Sequence, residues 1–155
     1  MGDHQYRATC SWEGSTAVGY HAYDRTHRVT APPAVGELEL SADPTFLGDP
    51  DRYNPESLVV MAAASCQLLS FLAVAARARV DVVAYDDDAT GAMSRGGTSI
   101  CEIRLRPHIT VREPATEARV ADLVDAAHRD CYVANSLRSE VVVTPVVTVV
   151  PAARD

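Results

Sequence analysis

Between residues 58 and 76 the chain is almost unbroken in apolar side chains, and this run constrains the fold more than any other feature. A segment of this length and character must leave water. Its entry is a helix start. Asn54 is a good N-cap, Pro55 suits the first helical position, and Glu56 favours the positive end of the dipole. The pattern predicts a helix to about Arg79. Its length invites comparison with a membrane span. However, Ser65, Gln67 and Ser70 lie inside it and much of the rest is alanine. A helix wrapped on all sides by protein fits better.

Around this helix the sequence reads as strands and one further helix. Residues 6–12 alternate, with Tyr6, Ala8, Cys10 and Trp12 on one face, which predicts a half-buried strand. Residues 17–23 read as a second strand, residues 25–28 as a polar turn, and Val29-Thr30 as the opening of a third strand. Residues 37–40 suggest a short strand and 43–53 a loop. Beyond the helix, 80–85 read as a strand and Asp86-Asp87-Asp88 as a solvated acidic turn with no calcium-loop spacing. Residues 100–111 read as one long strand. Residues 114–129 read as a helix whose inner face is Val120, Leu123, Val124 and Ala127, followed by a short helical piece at 132–137. Residues 140–150 complete the chain as a strand. Strands, helix, strands, helix, strand argue an α+β fold in one domain over 1–155, not a parallel α/β fold.

The 155 residues suffice for a sizeable core. A net charge of −7 argues against a nucleic-acid partner, and all 14 basic residues are arginine, so lysine chemistry is excluded. The polar first twelve residues lack a signal-peptide core. The expectation is therefore a cytoplasmic protein, where cysteines tend to be reduced, catalytic or metal-bound.

Four cysteines carry the chemistry worth weighing. Cys10 and Cys101 fall on apolar strand faces and read as small buried hydrophobes. Cys66 and Cys131 fit no alternating strand. Cys131 follows His128-Arg129-Asp130 and begins a helix, where the dipole favours a thiolate. Cys66 has no charge close in sequence, so it is either core packing or a thiol activated by a cation that the fold delivers. A zinc site is poorly supported without a C-x-x-C pair, and no histidine spacing marks a Cys-His hydrolase. His128 reads as a helix C-terminal residue facing the dipole.

Asn54-Pro55-Glu56, Cys66 ten positions after the glutamate, and His128-Arg129-Asp130-Cys131 with Asn135-Ser136 beyond resemble the OsmC/Ohr family of thiol-dependent peroxidases. Tyr132 stands where a proline often follows the second cysteine, and residues 41–53 replace the Gly-rich loop of the Ohr branch, so the likeness is to the OsmC-like branch. The resemblance implies an intertwined homodimer with two long helices packed between β-sheets and active sites at the subunit interface. It implies Cys66 as the peroxidatic thiol, Cys131 as the resolving thiol, and Glu56 with Arg25 as the activating pair, Arg28 being the fallback for the arginine. It further implies organic hydroperoxide, and hydrogen peroxide as a second candidate, as substrate. The reductant would be an external dithiol of lipoyl type or a small thiol, with no cofactor, metal, nucleic acid or membrane partner.

This chemistry needs a thiolate held by a fixed cation, which arginine supplies with a planar fork that Glu56 would orient. Read without the resemblance, Glu56 is also an ordinary first-turn residue and Arg25 an ordinary turn arginine. Ten residues of straight helix between Glu56 and Cys66 correspond to about 15 Å of rise and roughly 280° of turn. The expectation is that Arg25 and Glu56 reach a given Cys66 from the other subunit, or that the helix breaks near Leu58. The alternative function is a non-catalytic small-molecule-binding or stress-response protein of the same fold.

Overall fold

In a computed structural model of the protein, residues 3–152 are described. They fall into two compact units, one ending at Leu58 and the other beginning at Val59.

The first unit holds an antiparallel sheet of β1 (Thr9–Ser11), β2 (His27–Thr30) and β3 (Leu38–Leu40), in that order. The expected strand at 17–23 is absent. Ser15 instead caps a single 3-10 turn, Thr16–Val18, by accepting from the Ala17 amide. Gly19, at φ 94°, then turns the chain, a conformation glycine adopts without strain. The loop after β3 is anchored by buried Ser41, whose N–H donates to Tyr53 O and whose Oγ accepts from Asp49 N.

Helix α1 (Pro55–Arg77) begins as its sequence predicts. Asn54 Oδ1 accepts from Ser57 N at 2.7 Å, and Ser57 Oγ accepts from Asn54 N at 3.1 Å, so two amides otherwise lacking partners are satisfied reciprocally.

The second unit contains β4 (Val82–Asp87), β5 (Thr90–Met93), β6 (Ile100–Leu105), β7 (Pro107–Arg112), α2 (Glu117–Arg129), α3 (Tyr132–Ser136), β8 (Glu140–Val143) and β9 (Val146–Val150). Two three-stranded sheets result, ordered β4-β7-β9 and β5-β6-β8. In each, the central strand has one antiparallel and one parallel neighbour. The sequence-predicted strands 100–111 and 140–150 are each two strands. Their breaks fall at Arg106 and at Thr144-Pro145, and they are cross-linked at one level: Asp87 Oδ1 accepts from Arg106 N at 2.7 Å, and Thr144 N donates to Leu105 O at 2.9 Å. Asp86 and Asp87 are strand residues paired with His108 and Pro107, not a turn. Strand β5 was not expected. Gly91 allows it to approach α1, since a Cβ there would lie 2.6 Å from Val60 Cγ2.

The break divides the core. One cluster joins Phe71 and Ala75 of α1 to Ile109, Val111 and the inner face of α2, which is the predicted Val120, Leu123, Val124 and Ala127. The other joins Ala63 to Ile103 and Leu105. Helix α1 therefore buries one stripe, Ala63, Gln67, Phe71 and Ala75, at i, i+4 spacing. The expectation of a helix wrapped on all sides is not met within this chain. Met61, Leu69 and Leu72 are exposed, Leu69 by 63%. By length and composition α1 could also cross a bilayer, but its buried stripe packs it on the core of its own unit.

Candidate functional site

Two of the four thiols lie near one another. Cys66 is half-buried on α1, and Cys131 is buried as the N-cap of α3. The Cys131 and Cys66 thiols are close enough to act on one another electrostatically although 65 positions separate them. The joint between α2 and α3 holds Cys131 in place. Its N–H donates to His128 O at 3.2 Å, its carbonyl accepts from Asn135 N at 3.0 Å, and Asn135 Nδ2 donates to Arg129 O at 3.0 Å.

The helix N-terminus was expected to favour a thiolate at Cys131. The opposite direction prevails. Burial pushes the Cys131 thiol above its ordinary value, the amide of Ala134 opposes this, and the adjoining Cys66 sulfur adds to the rise. Five residues of α3 give too small a dipole to offset desolvation. Beside Cys66 lies a cleft of about 910 Å³ whose lining mixes apolar Leu69, Ala73 and Val133 with charged Arg77, Arg129 and Asp130.

Cys10 and Cys101 are exposed, contrary to the reading of both as buried hydrophobes. Strand β1 is an edge strand with all three residues exposed. Cys101, at the start of β6, donates to Ala92 O at 3.2 Å, while Ile103 and Leu105 further along are buried.

The first unit places Arg25 and Glu56 on one pocket of about 420 Å³. Arg25 donates from Nη1 to Tyr23 O at 2.9 Å and from Nη2 to Tyr20 O at 2.7 Å. Its guanidinium lies 4.0 Å from the ring centre of Tyr23 and 5.0 Å from that of Tyr20. Such stacking and forked donation suit arginine and not lysine. Glu56 Oε2 is buried with no hydrogen-bond partner. The expected Arg25–Glu56 pairing is thus a shared pocket without an ion pair between the two. Arg28 instead pairs with Glu37 at 3.3 Å on an exposed sheet face. Helix α1 runs continuously past Leu58, so the break considered there does not occur.

Sequence reasoning missed the aromatic wall of this pocket, Trp12, Tyr20 and Tyr23, whose rings meet edge-on and of which the two tyrosines lie against the arginine. The clustering of three large aromatics around an arginine over 12–25 was the available signal. It also missed Gln67, whose only signal was a polar side chain inside an apolar stripe.

These features define a mixed α+β protein with a thiol pair at the meeting of a long helix and a short one. The chain belongs to the OsmC-like protein family, whose pattern matches residues 48–146. Among solved structures it is similar to an OsmC-like protein of unknown function from Vibrio cholerae, with a TM-score of 0.84, 26% identity, and coverage of 93% of this chain and 100% of that one. The fold is shared with an organic hydroperoxide resistance protein OsmC from Legionella pneumophila, at TM-score 0.68 and 17% identity over 96% and 99% of the two chains. It is also shared with an organic hydroperoxide resistance protein from Elizabethkingia anophelis with thiocyanate bound, at TM-score 0.70 and 21% identity over 95% and 97%. No curated protein matches the sequence.

Proposed function

We propose that this protein is a cytoplasmic thiol peroxidase that reduces organic hydroperoxides, acting as one OsmC-like domain per protomer in a homodimer. The observation that carries the reading is that Cys66 and Cys131 lie near enough to influence one another, with residues of α3 lining the cleft beside Cys66. The Cys66 thiolate attacks the O–O bond of the hydroperoxide, leaving Cys66 sulfenic acid and releasing the alcohol. Cys131 then condenses with the sulfenic acid. The S–S bond forms, and the hydroxyl leaves with the Cys131 proton as water. An external dithiol reduces the disulfide by exchange and is itself oxidised.

The homodimer is supported by the exposed Met61, Leu69 and Leu72 on α1, an apolar face that a second copy of this helix would cover. On this reading the cation that holds the Cys66 thiolate is Arg25 of a second copy, oriented by Glu56 of that copy. Arg25 is preorganised for the role by its two carbonyl acceptors and its tyrosine platform. The cleft beside Cys66, with apolar Leu69, Ala73 and Val133 among its walls, has room for the organic group of a hydroperoxide.

The test is stopped-flow reaction of reduced protein with cumene hydroperoxide and with hydrogen peroxide, in the presence of a disulfide-specific dithiol such as dihydrolipoamide in excess. Peroxide consumption is expected to vanish in Cys66→Ser and to stop after a single turnover in Cys131→Ser. Undiminished consumption in Cys66→Ser would end the peroxidase reading.

A further inference from the structure

Gln67 and Ser41 are the two fully buried polar side chains among the described residues, and Gln67 follows Cys66 directly on α1. It belongs to neither apolar cluster. Ala63, one turn before it, packs in one, and Phe71, one turn after it, packs in the other. Gln67 thus sits where the two half-cores meet. Its Nε2 donates to Val124 O at 3.4 Å, and its Oε1 is buried without a partner.

Stability does not account for this amide. Val124 lies inside α2, where the helix itself supplies a donor to that carbonyl. An orphaned buried acceptor is destabilising, and an apolar side chain of the same length would remove it. What the bond does achieve is a link between two distant segments. It ties the turn of α1 that bears Cys66 to the helix whose C-terminal end carries Cys131.

We infer that Gln67 is a positioning residue for the joining of Cys131 to Cys66. The inference rests on the peroxidase reading above. In that step the Cys131 sulfur must enter in line with the S–O bond of the Cys66 sulfenic acid, so that S–S forms as the hydroxyl leaves with the Cys131 proton. A small sideways shift of α2 against α1 spoils that line, and such misplacements are costly in rate.

The test separates the two steps in wild-type protein and in Gln67→Met, by quenched flow with alkylation and intact-mass counting of sulfenic acid and disulfide. Disulfide formation is expected to slow about tenfold in Gln67→Met, while sulfenic acid formation changes less than twofold and the thermal midpoint holds or rises. Gln67→Glu, with the same length and a proton to donate while burial keeps it neutral, should recover part of the loss. Gln67→Leu serves if the methionine variant does not fold. Wild-type disulfide formation in the apolar variants overturns the inference. So does slowing matched by a fall in thermal midpoint, or equal rates in Gln67→Met and Gln67→Glu. Absence of any sulfenic acid in the wild type instead overturns the peroxidase reading beneath it.

Discussion

Oxidising the Cys66–Cys131 pair closes a loop across 65 positions of the chain. Chain-entropy arguments put the stabilisation from such a loop at about 4 kcal/mol. For a protein of this size that is a rise of roughly 10 °C in thermal midpoint. The same free energy, by the two-electron relation, lowers the reduction potential by roughly 90 mV relative to the same thiols in the unfolded chain. The assay is scanning calorimetry of reduced and peroxide-treated protein, with Cys10 and Cys101 changed to serine because both are exposed and would cross-link chains. The oxidised form is expected to melt well above the reduced form, and Cys131→Ser should melt at one temperature regardless of peroxide. Equal midpoints for the two redox forms would refute the reasoning, since the nearness of the two thiols makes an intrachain bridge the expected product of oxidation. A persistent shift in Cys131→Ser would refute it equally, by assigning the cross-link elsewhere.

Two further expectations follow from buried polar groups around the same core. Tyr85 Oη is buried without a partner, and burial together with Asp87 and Cys131 keeps its proton bound far above the usual range. Tyr85→Phe should therefore hold or raise stability, by up to ~1 kcal/mol, readable as a rise in urea midpoint; a loss of more than that would mean the hydroxyl has a partner in solution. Asp87 is held above the ordinary carboxylate value, chiefly by burial, with Asp88 adding to this and the Arg106 amide and His108 opposing it. Below about pH 4 the carboxyl is protonated folded and unfolded alike, and the relative stability present there is lost as pH rises through the elevated folded value. Asp87→Asn should thus be more stable than wild type at pH 7 and indistinguishable near pH 3.5 in urea titrations. An advantage that grows on acidification would contradict that sign.

Helix α1 was legible because its entry is chemical: Asn54, Pro55 and Glu56 satisfy or avoid free amides, and the apolar run then has only a helix's length to fill. The inner face of α2 was legible for the same reason of period. What alternation could not reveal was which strand faces receive a covering layer, and so Cys10 and Cys101 were assigned to the interior when both are open. Nor could it show that prolines interrupt the strands. Pro107 opens β7 and Pro145 parts β8 from β9, and neither has an N–H to continue a ladder. Cys66 and Cys131 could be paired from the sequence only through the family likeness, because no local rule connects residues so far apart. Arg25 was singled out the same way, but its partners, two carbonyls and two tyrosine rings, were not legible.

The aligned breaks at Arg106 and Thr144-Pro145 bear on how such a chain can change over generations. In an uninterrupted ribbon, one inserted residue reverses every side chain beyond it. Here β6 pairs with β5 and β8 while β7 pairs with β4 and β9, so the inward direction of Ile109 and Val111 is set by partners other than those of β6. The two sheets thus carry separate registers, and the thiol-bearing helix contributes to the core of each.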